Sequence, residues 1–273
     1  MPGNQEHEAA GAFGAWLGVS EVSRGEEGAL ILLPYREENT NPGGILHGGV
    51  AASLSALGAL AANPLGKDAK IISLEVCYLS AAQEDLETRS RLLRRGKTLA
   101  FVEVEVASGE KTVAKAMALL GSHLGEPRPL PRVEPEEKES EVGPLAEMLA
   151  MAPFMGRLGV KIEHMKEGCS RVRLPFSGDL TGESGGLHEG AALSLMDTAG
   201  AMAALSLRQG MRASTPALEA QFMARPPAAS SDLLALGQVV HQEGEMFWVE
   251  VQIACATSQS LLCRGTVFYR IPE

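Results

Sequence analysis

The chain repeats itself. Gly44-Ile45-Leu46-His47 recurs as Gly185-Gly186-Leu187-His188, with His188 standing 141 residues beyond His47, and Leu17-Gly18-Val19, Pro34 and Gly49 recur at that same offset as Leu158-Gly159-Val160, Pro175 and Gly190. Later pairs drift by a few residues, as short loop insertions require: Leu74-Glu75 with Leu218-Glu219, Tyr78 with Phe222, and Val102-Glu103-Val104 with Val249-Glu250-Val251. Two copies of one domain are therefore expected, each burying the same set of elements. The boundaries read as 12–124 and 145–273, joined by a linker at 125–144 whose Pro and Glu content and lack of apolar periodicity suit an extended, solvated segment.

Each copy has the same order of elements. A short helical or irregular lead-in is followed by a strand ending at Pro34 or Pro175, then by a Gly-rich loop that reaches His47 or His188. The stretches Gly48–Ala62 and Gly190–Leu207 are long and rich in Ala, Leu and Met, which favours helix. The first is apolar nearly all round and has to be enclosed, and Asn63-Pro64 stops it. Beyond each helix the pattern changes to period two. Val102-Glu103-Val104-Glu105-Val106 alternates strictly, as a strand with one buried and one wet face does. The expected class is α+β, with a long buried helix wrapped by an antiparallel sheet in each copy.

Composition bounds the partners. A net charge of −10 and a pI near 5.2 leave no large basic face for nucleic acid or an anionic membrane, so an anionic ligand must meet a local basic patch. The longest apolar run, Val50 to Ala62, is too short to span a bilayer, and the first residues have neither the basic nor the apolar region of a signal peptide, so the chain reads as a soluble cytoplasmic protein. Cys77, Cys169, Cys255 and Cys263 form no C-x-x-C pair and read as small core residues.

Two literal motif matches fail on context. Gly182-Glu183-Ser184-Gly185-Gly186 spells G-x-S-x-G, but the repeat aligns it with the loop Asn41–Ile45, without the strand that a nucleophile elbow needs. His188-Glu189 has no second His four residues after the first, so it is no zinc motif, and no metal is implied.

Strand, Gly-rich loop with His-Gly-Gly, buried helix and further strands together resemble the hotdog fold, and the motif is similar to that of the phenylacetate-degradation type acyl-CoA thioesterases. That family carries an Asn, then His-Gly-Gly, an Asp nine residues after the His, and a later Thr-x-x-Leu-x-x-x-Phe. The first copy has Asn41, His47, Gly48 and Gly49, but Ala56 where the acid belongs. The second has Asp197 in Leu195-Met196-Asp197-Thr198-Ala199, and Thr215 and Leu218 leading to Phe222, but Gly182 for the Asn and Glu189 for the first Gly. Each copy lacks what the other keeps.

In this family, the resemblance implies, one hotdog supplies the Asn, His and helix N-terminus of a site and its partner supplies the acid and Thr. Carried onto this chain, Asn41, His47 and Gly48 would face Asp197 and Thr215 in one composite site. The opposite pairing, His188 and Glu189 against Ala56 and Ile71, would be silent. Asp197 would then serve as general base or nucleophile, and the Gly48 N–H as donor to the developing oxyanion, with Thr215 bonded to the carboxylate. Gly49 is expected beside the substrate, and Arg36, Arg225, Lys67 and Lys70 are candidates for the phosphates of coenzyme A. The activity implied is hydrolysis of an acyl-CoA without a metal or cofactor, by a homodimer of double-hotdog chains. A silent acyl-CoA binding or regulatory module, and a hotdog hydratase or dehydratase, are the alternatives.

Overall fold

The computed structural model describes residues 6–7, 11–124, 129–133, 142–183, 185–210, 212–224 and 231–273. The first half runs β1 (Glu6–His7), α1 (Gly11–Leu17), β2 (Glu21–Gly25), β3 (Gly28–Leu33), α2 (Gly48–Ala61), β4 (Lys70–Tyr78), β5 (Leu86–Arg95), β6 (Leu99–Ser108) and β7 (Lys111–Gly121). The second runs α3 (Pro144–Ala150), α4 (Pro153–Leu158), β8 (Lys161–Lys166), β9 (Cys169–Leu174), α5 (Glu189–Leu205), β10 (Ser214–Phe222), β11 (Leu233–Glu243), β12 (Met246–Cys255) and β13 (Leu261–Arg270). In place of the single strand expected before Pro34 and Pro175, each half has a hairpin, β2–β3 and β8–β9, because the two-residue turns Glu26-Glu27 and Glu167-Gly168 fold the chain back.

All strands join one antiparallel sheet in the order β1-β2-β3-β5-β6-β7-β4-β10-β13-β12-β11-β9-β8. The order is nearly a palindrome about the β4–β10 contact, where Glu75 pairs directly with Glu219. A pseudo-two-fold axis passes through this point. On the concave side α2 and α5 pack together, with Ser53 Oγ 3.1 Å from Ser194 Oγ and each serine bonded to the opposite helix, Ser53 to Gly190 O and Ser194 to Gly49 O. Glycine is required at this crossing: a Cβ on Gly49 would stand 2.8 Å from Ser194 Oγ, and one on Gly190 2.6 Å from the Phe13 ring. This close approach is what small residues on an all-round apolar helix make possible, and it explains the low aromatic content of the core.

The lead-in helices are exchanged between halves. Phe13 N–H donates to Thr181 O and Phe154 N–H to Thr40 O, so α1 packs on the second half's loop and α4 on the first's. Pro153 at the start of α4 and Pro144 at the start of α3 divide the second lead-in into two helices. Within the expected linker, Pro129, Pro131 and Arg132 are exposed, but Val133 is buried. Val133 N–H donates to Gln259 O, Leu261 N–H donates to Pro131 O, and Val133 is buried against Ala254 and Leu261, so this stretch docks on the turn between β12 and β13. Residues 125–128 and 134–141 of the expected linker lie outside the described residues.

Of the four cysteines, Cys255 and Cys263 are buried, whereas Cys77 and Cys169 are only partly so. Among the described residues no helix is long and apolar enough to cross a membrane.

Candidate active site

The two halves place unlike parts around two clefts related by the axis. In the first, the loop after β3 is held by Asn41, whose Oδ1 accepts from the N–H groups of Gly43 and Ile45. That turn delivers His47 to the N-cap of α2, where its Nδ1 accepts the Gly49 N–H at 2.9 Å. Gly48 opens the helix, and its own N–H has no acceptor among the described residues. The Asn41 side-chain NH2 group is likewise without a partner among the described residues, so the loop-shaping role leaves it able to donate.

Across from this helix end stands Asp197 of α5, only 4% exposed. Thr215 Oγ1 donates to its Oδ1 at 2.7 Å. A bulge between Ser214 and Ala217 on the β13 side accommodates Pro216, which has no N–H for the ladder, in the strand that presents Thr215 to the carboxylate. Asp197 Oδ2 lies 3.6 Å from His47 Nδ1 and 3.0 Å from where a Cβ on Gly48 would stand. The carboxylate, the imidazole and the free helix N-terminus thus share one cleft, although they come from residues 47–48 and 197–215.

His47 is held neutral. Burial pushes its pKa below the ordinary 6.5, with the Asp197 carboxylate opposing that shift more weakly. Since Nδ1 accepts the Gly49 N–H, the ring proton sits on Nε2, and the 3.6 Å approach to Asp197 is no ion pair. Phe154 of α4 stacks on the ring at 5.0 Å. The pH consequence follows from the sign of the shift. Above about pH 6.5 the imidazole is neutral in both folded and unfolded chains; below it the unfolded chain binds the proton and the folded one resists. Thermal stability is therefore expected to hold above about pH 7 and to fall as pH drops below about 6.5. Unfolding scans of the wild type and His47→Gln between about pH 5 and 8 check this, with a shallower acid slope expected for the variant.

The second cleft is built from the mirrored positions with opposite chemistry. His188 caps α5, and its Nδ1 accepts the Gly190 N–H at 2.9 Å, while Phe13 stacks on its ring at 4.6 Å. Ala56 stands where the first cleft has Asp197, Ile71 where it has Thr215, and Gly182 where it has Asn41. Glu189 replaces Gly48 and is 6% exposed. By the two-fold relation, Glu189 and Ala56 occupy the positions that Gly48 and Asp197 hold in the first cleft. The small Ala and the large Glu are a matched pair, as are Gly48 and Asp197. Glu189 and His188 border a cavity of about 420 Å³ whose other walls include Phe13, Leu57, Arg24 and Lys67.

The other residues expected at the substrate make local contacts of their own where they are described. Gly49 is a packing residue, its N–H given to His47 and its Cα facing Ser194 and Phe154. Lys67 borders the second cleft rather than the first. Lys70 donates to Met223 O and so ties β4 to the end of β10. Arg36 packs its guanidinium over Gly18 and pairs with Glu38 at 3.5 Å. Arg225 lies outside the described residues. Scattered cations are a weak sequence signal because most surface Lys and Arg serve such local contacts.

Comparison with known proteins agrees with this architecture. A family model for the acyl-CoA thioesterase N-terminal domain matches residues 36–121, and one for the thioesterase superfamily matches residues 184–261. Acyl-coenzyme A thioesterase 13 of Mus musculus is 32% identical over 106 residues, which is 37% of this chain and 74% of that protein. The tesB protein of Mycobacterium avium subspecies paratuberculosis superposes with a TM-score of 0.70 at 14% identity, covering 96% of this chain and 100% of that one. The acyl-CoA thioesterase II TesB2 of Mycobacterium marinum gives 0.65 at 13%, covering 88% and 92%. The chain belongs to the thioesterase superfamily, as a tandem pair of hotdog domains.

Proposed function

We propose that this thioester hydrolase cleaves an acyl-CoA to the free acid and CoA at one composite site, the cleft between the α2 N-terminus and Asp197. The observation that carries the reading is the meeting of a buried, Thr215-bonded carboxylate with a helix N–H from the other half that has no acceptor among the described residues. The Gly48 N–H and the α2 dipole point at where charge develops on the thioester oxygen, a contribution of about 10²- to 10³-fold in kcat for one such donor. Asp197 takes the proton of the attacking water, and Thr215 fixes its orientation. Asn41 offers its NH2 group to the bound thioester, and neutral His47 holds the helix end in place.

The second cleft does not hydrolyse: Ala56 and Ile71 provide neither a base nor a hydroxyl to orient one, and Glu189 sets a carboxylate at the helix end where an oxyanion would form. With a net charge of −10, the chain has to meet the CoA phosphates locally; Arg225 and Arg36, whose half-exposed pair with Glu38 is weak enough to exchange, are the candidates, because Lys70 is tied to Met223 O and Lys67 borders the other cleft. Two chains associate as a homodimer, giving a four-hotdog assembly.

Nothing in this chemistry calls for a metal or cofactor, so prolonged treatment with a chelator is expected to leave kcat unchanged. Release of free thiol from a panel of short, medium, long and aromatic acyl-CoAs tests the reading. Turnover of at least one class supports it; binding of several with no turnover of any would favour the silent binding module instead.

A further inference from the structure

The polar character of the first cleft extends to a residue beyond those already placed in it. Tyr78 ends β4, on the face that Leu74 and Val76 bury, and its hydroxyl is shielded from solvent with no hydrogen-bond partner among the described residues. Burying a hydroxyl unpaired is unfavourable, and such groups are rare unless something that binds there satisfies them. The neighbouring Cys77 pairs with Ala217 across the β4–β10 contact, which puts Tyr78 level with the bulged segment that carries Thr215. It therefore stands between the two walls of the cleft, on a strand that packs against α2 and beside the β10 segment that carries Thr215. Burial first, and the Asp197 charge second, push its pKa well above 10, so the phenol stays neutral and able to donate.

A comparison of the two clefts gives an independent argument. The axis through Glu75 and Glu219 relates Tyr78 to Phe222 and Thr215 to Ile71, just as the aligned helices relate Asp197 to Ala56. At all three positions the first cleft has a polar group and the second an apolar one. A hydroxyl kept for packing alone would have no reason to follow the acid and the threonine in this way, because Phe222 fills the equivalent place without it.

We propose that Tyr78 is a further catalytic residue of the first cleft, whose hydroxyl donates to the oxygen of the attacking water and holds it against Asp197. The inference rests on the thioesterase reading above. The water then has one lone pair engaged by Tyr78, one O–H directed at Asp197, and its remaining lone pair free for the thioester carbon.

Tyr78→Phe removes only the hydroxyl. Thiol release with the best acyl-CoA is expected to show kcat lowered about 10-fold or more with KM within about twofold, while Tm holds or rises because an unpaired buried polar group has gone. In the Asp197→Asn background the same change is expected to cost nothing further, since both act on one water. Phe222→Tyr, in the silent cleft, is expected to leave kcat unaltered. Unchanged kcat in Tyr78→Phe, or a fall in kcat together with a fall in Tm, would overturn the inference while the thioesterase reading stands. Absence of turnover in the wild type would overturn both.

Discussion

Replacing Asp197 by Asn is expected to lower kcat for acyl-CoA hydrolysis by about 10³-fold while the protein stays folded. The size follows from what a positioned base supplies, about 10²- to 10⁴-fold. Folding is preserved because Asn has nearly the volume of Asp, and its amide oxygen can still accept from Thr215 Oγ1, now 2.7 Å from the carboxylate. KM is expected to move little, since the carboxylate acts on water and not on the bound thioester. The variant also reports on the number of working sites. A second functional cleft would leave about half the wild-type activity, whereas one composite site leaves almost none. Glu189→Gln, in the other cleft, is expected to keep kcat within about twofold of the wild type if the carboxylate there serves no chemistry. Free thiol release under saturating substrate measures all of these, and half-retained activity in Asp197→Asn would end the single-site reading.

Replacing Gly48 by Ala is expected to lower kcat by about 10- to 100-fold without lowering Tm. The new Cβ would lie 3.0 Å from Asp197 Oδ2 and 3.6 Å from its Cγ, so the carboxylate has to retreat by a few tenths of an ångström, away from the water and against Thr215. A displacement approaching 1 Å of a reacting group costs about 100-fold, which sets the upper end. The backbone takes no part in the loss: Gly48 is not among the glycines with positive φ, and Ala is a better helix former than Gly. Activity and stability thus move apart, as they would not if Gly48 were conformationally required. Stopped assays and thermal scans on the same preparation check this, and a parallel fall in both would place the glycine's role in folding.

Much of this architecture was legible in the residues. The constant offset between His47 and His188 revealed two copies, and the change from Ala-rich stretches to strict alternation at Val102–Val106 placed a buried helix before a run of strands. In the sequence the hairpins β2–β3 and β8–β9 look like single strands because their turns are only two residues long and Val22 and Ile31 belong to one apolar face. The anchoring of Pro131–Val133 was hidden by a composition that reads as solvated, since two backbone bonds and one buried Val leave little trace in a Pro- and Glu-rich segment. In the sequence Tyr78 is a repeat match to Phe222 and carries no further signal, because only burial without a partner among the described residues distinguishes its hydroxyl from a packing ring.

The sequence by itself determined the kinds of group available: one acid on an apolar helix, one His-Gly-Gly helix start, and a second copy in which each is replaced. Local patterns carry this because period, capping and repeat offset are properties of neighbouring residues. Only the tertiary structure decided which groups meet. It joined β4 to β10, crossed α2 over α5 at Gly49 and Gly190, and so brought Asp197 to Gly48. It also set Gly49 against Ser194 and Phe154, tied Lys70 to Met223 O and put Lys67 on the border of the second cleft. Distances between residues some 150 positions apart are set by how two helices and a continuous sheet pack around an axis, and no local pattern encodes that sum of contacts.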